Sequence, residues 1–137
     1  MCGVTGGKPL PAFAVIGAQW GDEGKGKIVD FLSRRADVVA RFAGGNNAGH
    51  TVINEQGHFS LHQVPSGIFW PQTLSVMGSG VVVNPDTLLG EITSLKERGV
   101  DVDGRLLGSE RAHLIMPYHI AIDQLAETAK GNKAIGT

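Results

Sequence analysis

The sequence lacks most of the features that mark secreted, membrane-spanning or nucleic-acid-binding chains. A single cysteine, Cys2, excludes an internal disulfide and favours a reducing, cytoplasmic location. No apolar run approaches the ~20 residues that a membrane-spanning helix needs, and the first residues lack the apolar region of a signal peptide. Lys and Arg number 12 and Asp and Glu 13, so the net charge of −1 favours neither nucleic acid nor an anionic membrane as a partner.

Glycine, in contrast, is abundant. The chain has 20 glycines among 137 residues, about twice the usual share of ~7%. They fall in loops between apolar segments, without repeats or low complexity. Such a distribution indicates several tight turns around a ligand rather than disorder. The length fits one domain, or part of one.

Strand-like and helix-like apolar patterns alternate along the chain, which predicts an α/β fold with a mostly parallel central sheet flanked by helices. Residues 12–16 and 37–43 predict short buried strands, and a helix from Lys25 between them would complete a parallel βαβ unit. Later segments predict a hairpin over residues 51–62, strands over 74–77 and 81–83 separated by a turn at 78–80, and a strand from Leu106.

Two further helices are predicted from their end signals. For the first, Asn84 suits the N-cap, Pro85 the first helical position and Gly99 the C-terminal cap. Its expected buried stripe consists of four apolar residues, Leu88, Leu89, Ile92 and Leu95. The second begins at Pro117, with Tyr118, Ala121, Ile122, Leu125 and Ala129 on one face.

Residues 17–27 (GAQWGDEGKGK), which we call the glycine loop, lie between the first predicted strand and the first predicted helix. A strand, a glycine-rich loop and a helix in this order direct backbone N–H groups and a helix N-terminus toward a phosphate. The loop follows the phosphate-loop pattern G-x-x-x-x-G-K-[ST] until Ile28, which stands where that pattern has a metal-binding hydroxyl. Carboxylates repel phosphate, so Asp22 indicates either a metal ligand that replaces the hydroxyl or a group that removes a proton.

Residues 44–51 (GGNNAGHT), which we call the polar loop, follow the second predicted strand. Ligands of open α/β sheets bind outside the carboxyl ends of the strands, so both loops are expected to face one crevice. His50 alone would be most simply an exposed loop histidine. Its place in a flexible loop that is entropically costly to order favours a ligand-binding role. The other four histidines have no metal-ligand spacing and are expected to be structural or at the surface.

Together, the segments QWGDEGKGK and GGNNAGHT closely resemble the N-terminal region of the adenylosuccinate synthetases. The resemblance continues through residues 65–68, 80–82 and 133–137 and covers nearly all of the chain after Phe13. It implies a fold similar to phosphate-loop NTPases and a GTP-dependent ligase of purine biosynthesis. Such a ligase joins L-aspartate to IMP through 6-phosphoryl-IMP, the first committed step from IMP to AMP. The resemblance also implies Mg²⁺ as cofactor and a homodimer.

The resemblance further implies roles for individual residues. Asp22 would be the proton acceptor, His50 the proton donor and Lys25 a support for the transferring phosphate. Asp22 and Gly49 would hold Mg²⁺. The GTP contacts would be Gly21, Asp22, Glu23, Gly24, Lys25, Gly26, Lys27, Gly49, His50 and Thr51. The IMP contacts would be Asp22, Glu23, Gly24, Lys25, Asn47, Ala48, Gly49 and His50.

On this basis, we expect residues 1–11 to be a flexible leader and residues 12–137 to be the N-terminal part of a single GTP- and IMP-binding catalytic domain. No strand–helix unit closes at the C-terminus, so the sheet is expected to be incomplete there and the isolated chain inactive. Two alternatives stay open, a non-catalytic nucleotide switch with a phosphate loop and a related ATP-dependent ligase. A switch needs only nucleotide contacts, so the combination of Asp22 with His50 argues against it.

Overall fold

The computed structural model describes residues 12–18, 24–47, 49–54 and 57–130. Its elements, in chain order, are α1 Lys25–Ser33, β1 Val38–Gly44, β2 His50–Asn54, β3 Gly57–Leu61, a 3₁₀ turn Ser66–Phe69, β4 Leu74–Val83, α2 Pro85–Glu97, β5 Leu106–Gly108, β6 His113–Leu114 and α3 Pro117–Lys130. Strand β4 is central and pairs in parallel with β1, β5 and β6, while β2 and β3 form an antiparallel hairpin. A parallel sheet with flanking helices confirms the predicted α/β class.

The first described segment differs from its prediction. Residues 12–18 have no regular secondary structure, and Phe13 and Ile16 are 78% and 74% exposed. No described strand pairs with them, so the predicted strand over residues 12–16 and its βαβ unit are wrong for the described chain. A short apolar run supplies strand propensity, but a strand forms only where a neighbouring strand shares its hydrogen bonds. The first β–α–β crossover is instead β4–α2–β5.

Strand β4 continues through the segment predicted as a turn, so the turn at residues 78–80 is also wrong. The glycines there permit the backbones of β1 and β4 to approach each other closely. Between the pairs Arg41–Met77 and Ala43–Gly80, one residue of β1 opposes two of β4. A Cβ on Gly80 would lie 2.5 Å from the carbonyl oxygen of Phe42. Glycine inside a strand commonly marks such a bulge or close backbone approach.

The signals that predicted α2 are confirmed at both ends. The Asn84 side chain accepts hydrogen bonds from the N–H groups two and three residues later, at 3.1 and 3.3 Å. At the other end, Gly99 has a φ of +79°, which glycine adopts without strain. The N–H groups of Gly99 and of the next residue donate to carbonyls in the last helical turn, and these two bonds define a Schellman motif.

The main hydrophobic core lies where the hairpin, the 3₁₀ turn and α2 meet, around Ile68 and Leu95. Two other residues of the predicted α2 stripe pack against it. The stripe was wrong at Leu89, which is 62% exposed, whereas Glu91 is only 8% exposed. At 100° per residue, Leu89 lies about 120° from Leu95 around the helix axis and Glu91 only about 40° from it. The helix geometry therefore turns the carboxylate inward.

The apolar faces of α1 and α3 are exposed. Both helices form where predicted, but Phe31 of α1 is 68% exposed and α3 has no buried residue. Periodicity therefore located these helices without establishing what covers them. Among the described residues, the helices are too short or too polar to span a bilayer.

Candidate active site

The predicted site residues fall into two groups. Gly21, Asp22, Glu23 and Ala48 lie outside the described residues. The others lie at the start of α1, in the polar loop and at the start of β2. They are Gly24, Lys25, Gly26, Lys27, Asn47, Gly49, His50 and Thr51.

Helix α1 begins with a turn suited to an anion. Gly24 is the N-cap, with a φ of +77°, and no described side chain caps the helix. Its carbonyl oxygen accepts hydrogen bonds from the N–H groups of Lys27 at 3.1 Å and Ile28 at 3.5 Å. The first N–H groups of a helix lie at the positive end of the helix dipole. With lysines at the first and third helical positions, this end matches phosphate.

The start of α1 lies against the start of β2. A Cβ on Gly26 would lie 3.0 Å from the Cβ of His50 and 3.4 Å from its ring Cδ2. Glycine at this position therefore lets the helix and the imidazole approach each other closely. The end of the glycine loop and the end of the polar loop meet, as predicted, and an imidazole lies beside the first turn of the helix.

The imidazole of His50 is neutral near pH 7. Burial is the main cause that lowers the pKa of His50 to about 4; the Arg41 guanidinium and His62 lower it too, and the Glu91 carboxylate raises it. The Nε2 atom of His50 is buried and finds no hydrogen-bond partner among the described residues. Because a buried polar atom without a partner is costly, this nitrogen marks a place where a bound ligand can supply the missing hydrogen bond.

Two charged side chains near His50 were missed by sequence reasoning. The Arg41 guanidinium donates to the carbonyl oxygens of His62 and of Gly45, the latter at 2.9 Å. The Glu91 carboxylate accepts from the N–H groups of three consecutive residues, 62, 63 and 64, at 2.7 to 3.1 Å. A signal for Glu91 was present in the sequence, since it lies among apolar residues on the buried side of α2. His62, expected to be structural or at the surface, is half-buried, and its Nδ1 lies 3.0 Å from the carbonyl oxygen of Asn46.

An open cavity of about 370 Å³ lies beside the polar loop. Its lining side chains are Asn46, Asn84, Ile115, His119, Ile120 and Asp123. The fully buried Gln63 fixes one wall, because its Nε2 donates to the Asn84 carbonyl at 3.1 Å and its Oε1 accepts from the Asn84 N–H at 3.2 Å.

Three other predicted residues are exposed to solvent. Lys27 and Asn47 are exposed, and Thr51 is exposed and pairs with Ser60 in the hairpin. Within the described ranges, no group of three His, Cys, Asp or Glu side chains is arranged to hold a metal ion. The described part of the site therefore consists of the neutral imidazole of His50, the N-terminus of α1 and the polar loop, which Arg41 holds by a hydrogen bond.

The chain is similar to known proteins over nearly its whole length. A family model described as adenylosuccinate synthetase matches residues 14–137. Curated adenylosuccinate synthetases from two strains of Dehalococcoides mccartyi are 56% and 55% identical to the chain over 128 residues, or 93% of its length. The chain spans 30% of the length of these relatives.

Two solved structures are similar in fold. Fully ligated adenylosuccinate synthetase from Plasmodium falciparum matches 85% of this chain and 27% of its own, with a TM-score of 0.77 and 43% identity. Cyanophage S-2L succinoaminodeoxyadenylate synthetase, bound to dGMP and to dATP as an energy donor, matches 82% of this chain and 31% of its own, with a TM-score of 0.61 and 26% identity. The family match includes both the glycine loop and the polar loop. The chain belongs to the adenylosuccinate synthetase family.

Proposed function

We propose that this chain supplies the phosphate-binding and proton-transfer residues of an adenylosuccinate synthetase, which joins L-aspartate to IMP through 6-phosphoryl-IMP with GTP as the phosphoryl donor. The observation that carries the proposal is the contact between His50 and Gly26, which sets an unpartnered imidazole nitrogen beside the start of α1. The family relationship supports the same chemistry and does not favour a nucleotide switch or an ATP-dependent ligase.

In this proposal, the glycine loop binds the phosphates of GTP. Its glycines allow the backbone to approach the phosphates closely, and Lys25 supports the charge on the transferring phosphoryl group. The GTP contacts are Gly21, Asp22, Glu23, Gly24, Lys25, Gly26, Lys27, Gly49, His50 and Thr51.

His50 acts as the proton donor toward the transferring phosphoryl group. Burial leaves its ring neutral in the absence of ligand, with a pKa of about 4. The negative charge of a bound polyphosphate raises the pKa of a neighbouring imidazole and so favours the protonated, donating form. The ring position suits this role because Nε2 has no other described partner.

Asp22 acts as the proton acceptor. It removes the proton from N1 of the hypoxanthine ring, so that the electron-rich 6-oxygen attacks the γ-phosphorus of GTP and GDP leaves. Aspartate then displaces phosphate from C6. The residues proposed to contact IMP are Asp22, Glu23, Gly24, Lys25, Asn47, Ala48, Gly49 and His50.

The donor set fits Mg²⁺. A carboxylate from Asp22 and the carbonyl oxygen of Gly49 are hard oxygen donors, which Mg²⁺ prefers. Mg²⁺ is commonly held by one or two protein groups together with phosphate oxygens and water. When bound, the ion would neutralise phosphate charge.

We extend the proposal to the enzyme's setting. The single cysteine and the near-zero net charge support a cytoplasmic enzyme without a nucleic-acid or membrane partner. The family relationship supports a homodimer.

The test is a chimera in which residues 14–137 replace the matching segment of the Dehalococcoides mccartyi synthetase, which is 56% identical. The chimera should form adenylosuccinate from IMP, GTP, Mg²⁺ and L-aspartate at a rate within roughly tenfold of the parent enzyme, a difference of about 1.4 kcal/mol in barrier. ATP is assayed in parallel, because the phage relative carries dATP as its energy donor. A folded chimera that binds GTP without forming product contradicts the proposal.

Variants of the chimera test the two proton-transfer roles. His50→Asn should lower kcat by ~10²- to 10³-fold and Asp22→Asn by ~10²- to 10⁴-fold, with smaller effects on GTP binding. His58→Asn, on the exposed side of the same hairpin, is the control. Near-normal turnover in either active-site variant would show that its role is wrong.

One measurement separates the proposal from a nucleotide switch. Thermal-shift titration of the chimera with IMP should raise its melting temperature, whereas a switch would not respond. The chain alone should make no adenylosuccinate, because it spans 30% of its relatives and substrate positioning supplies ~7–11 kcal/mol of such barriers.

A further inference from the structure

The polar loop carries residues proposed to act on the nucleotides, and its position depends on side chains outside it. The Arg41 guanidinium donates to the carbonyl oxygen of Gly45 at 2.9 Å. The Nδ1 atom of His62 lies 3.0 Å from the carbonyl oxygen of Asn46. Arg41 also donates to the carbonyl oxygen of His62, which ties these two supports to each other.

The glycines at the two ends of the loop fit these supports closely. A Cβ on Gly44 would lie 3.1 Å from Nη2 of Arg41, and a Cβ on Gly49 would lie 3.1 Å from Nδ1 of His62. Both contacts are closer than a side chain tolerates without displacing its neighbour. The backbone of the polar loop therefore packs directly against the Arg41 guanidinium and the His62 imidazole.

His62, the second support, is itself held through its backbone N–H by a carboxylate of α2. Glu91 of α2 accepts hydrogen bonds from the N–H of His62 at 2.7 Å and from the N–H groups of the next two residues at 2.9 to 3.1 Å. Hydrogen bonds to an ionised group are stronger than neutral ones. Burial lowers the pKa of the half-buried Arg41 and the Glu91 carboxylate raises it, so the carboxylate partly offsets the desolvation of the guanidinium.

We propose that Arg41 and Glu91 are positioning residues, which hold Asn47, Gly49 and His50 where the proposed reaction needs them. The catalytic consequence rests on the proposed function, whereas the placement of the loop is a property of this chain. A misplacement of about 1 Å can cost ~10²-fold in rate even when the altered residue is remote from the chemistry. We therefore expect kcat to fall while the affinity for GTP changes little.

Two variants with matched controls test the proposal. Glu91→Gln keeps the shape but replaces one acceptor oxygen by an amino group that faces N–H donors. Arg41→Lys keeps the charge but loses the planar fork that reaches two carbonyls. Glu97→Gln and Arg35→Lys make the same chemical changes at exposed positions.

The first readout is amide hydrogen exchange of the chain, followed by NMR. Exchange at Gly44, Gly45, Asn46 and Gly49 should accelerate by roughly tenfold or more in both variants, with β5 unaffected, because local opening is distinct from global unfolding. Uniform acceleration throughout the chain, or an unchanged loop, would overturn the proposal. Should Glu91→Gln give no dispersed spectrum, Arg41→Lys alone decides.

The second readout is the kinetics of the chimera. Each variant should lower kcat by about 10²-fold while KM for GTP stays within a few-fold, and each control should leave both unchanged. Equal falls in kcat for variant and control, or a rise confined to KM, would refute the positioning role. If the unsubstituted chimera makes no product, the proposed function fails, and the loop exchange still decides whether Arg41 and Glu91 position the loop.

Discussion

Helices α2 and α3 resemble each other in sequence pattern and differ in their surroundings. Both begin with proline, are amphipathic and have 13 and 14 residues. Helix α2 buries Glu91 and Leu95, whereas α3 buries no residue. An amphipathic pattern therefore selects the face that is available for packing, and neighbouring elements decide whether that face packs.

The largest expected difference is between two leucines. Leu95 of α2 is 1% exposed and Leu125 of α3 is 72% exposed. Leu95→Ala should lower the free energy of unfolding by ~2–5 kcal/mol, because it leaves a cavity in a packed core. Leu125→Ala should change it by no more than ~0.5 kcal/mol. Urea denaturation of both variants measures the contrast, and equal losses would break the comparison.

A second contrast concerns two glutamates. Glu91→Ala leaves three buried N–H groups without their acceptor, and we expect a loss of roughly 2–4 kcal/mol in unfolding free energy. Glu127 of α3 is 16% exposed and pairs with the half-exposed Lys130 at 2.5 Å within one helical turn, a kind of pair worth only ~0.2–0.5 kcal/mol. Glu127→Ala should therefore cost much less in the same denaturation experiment. A loss as large as that of Glu91→Ala would show that α3 is packed more tightly than the structure indicates.

The pH dependence of stability sharpens the comparison, because burial lowers the pKa of His50 and the Glu91 carboxylate of α2 raises it against that effect. The pKa of His50 is about 4 in the folded chain, below its ordinary value of 6.5. Between these values the unfolded chain binds a proton that the folded chain does not. The free energy of unfolding should therefore fall as pH drops from 6.5 toward 4, by at most about 1.4 kcal/mol per pH unit. Below the folded pKa it should level off.

Denaturation in metal-free buffer at several pH values checks this slope. His50→Asn should remove the His50 contribution to it, and His58→Asn is the matched control at an exposed position of the same hairpin. An identical slope in the His50 variant and the unsubstituted chain would show that His50 has the same pKa in the folded and the unfolded chain.

A smaller contrast concerns helix capping. The Asn84 side chain caps α2, and Asn84→Ala should lower the unfolding free energy by about 1 kcal/mol. Met116 precedes α3, and Met116→Asn should raise stability by a similar amount if α3 unfolds together with the rest of the chain. Thermal melting of the two variants gives the values, and no response in α3 would mean that this helix unfolds separately.

The smallest expected effect depends on helix propensity and not on burial. Gly90 lies inside α2, and a methyl group added there would meet no atom of the described residues within 4 Å. Gly90→Ala should therefore stabilise the chain by ~0.5–1 kcal/mol through helix propensity. Ala126→Gly on exposed α3 should cost about the same. Equal and opposite changes in melting experiments would confirm that the two helices differ in packing rather than in backbone preference.

The parts of the fold that sequence could predict are those with local signals. The ends of α2 follow from Asn84, Pro85 and Gly99, and the hairpin follows from alternation on either side of a short polar turn. The missed features depend on residues distant in sequence. Gly78 and Gly80 were taken for a turn because their real constraint, the backbone of β1, is about 40 residues away in sequence and meets them only through strand pairing.

The same division holds for the site. His50 was identified from the composition of the polar loop, because polar glycine-rich segments after strands commonly bind ligands. Arg41 and Glu91 were missed, since each acts on backbone groups that folding brings to it. All of the ligand-contact and catalytic assignments stay predictions, and Gly21, Asp22, Glu23 and Ala48 lie outside the described residues. Sequence thus suggested which groups contact a ligand, and the structure added the side chains that hold the polar loop.

The bulge in β4 makes residue count, rather than side-chain identity, a determinant of this site. Two residues of β4 oppose the single residue Phe42 of β1. After this point, each residue of β1 therefore pairs with a β4 residue one position later than it would without the bulge. Removing Ser79 would draw Asn84 and the helix after it back along the direction of β4 by about 3.3 Å, the rise of one strand residue. Glu91 would then no longer meet the three N–H groups that it holds. The number of residues in β4 therefore sets the position of α2 relative to the polar loop.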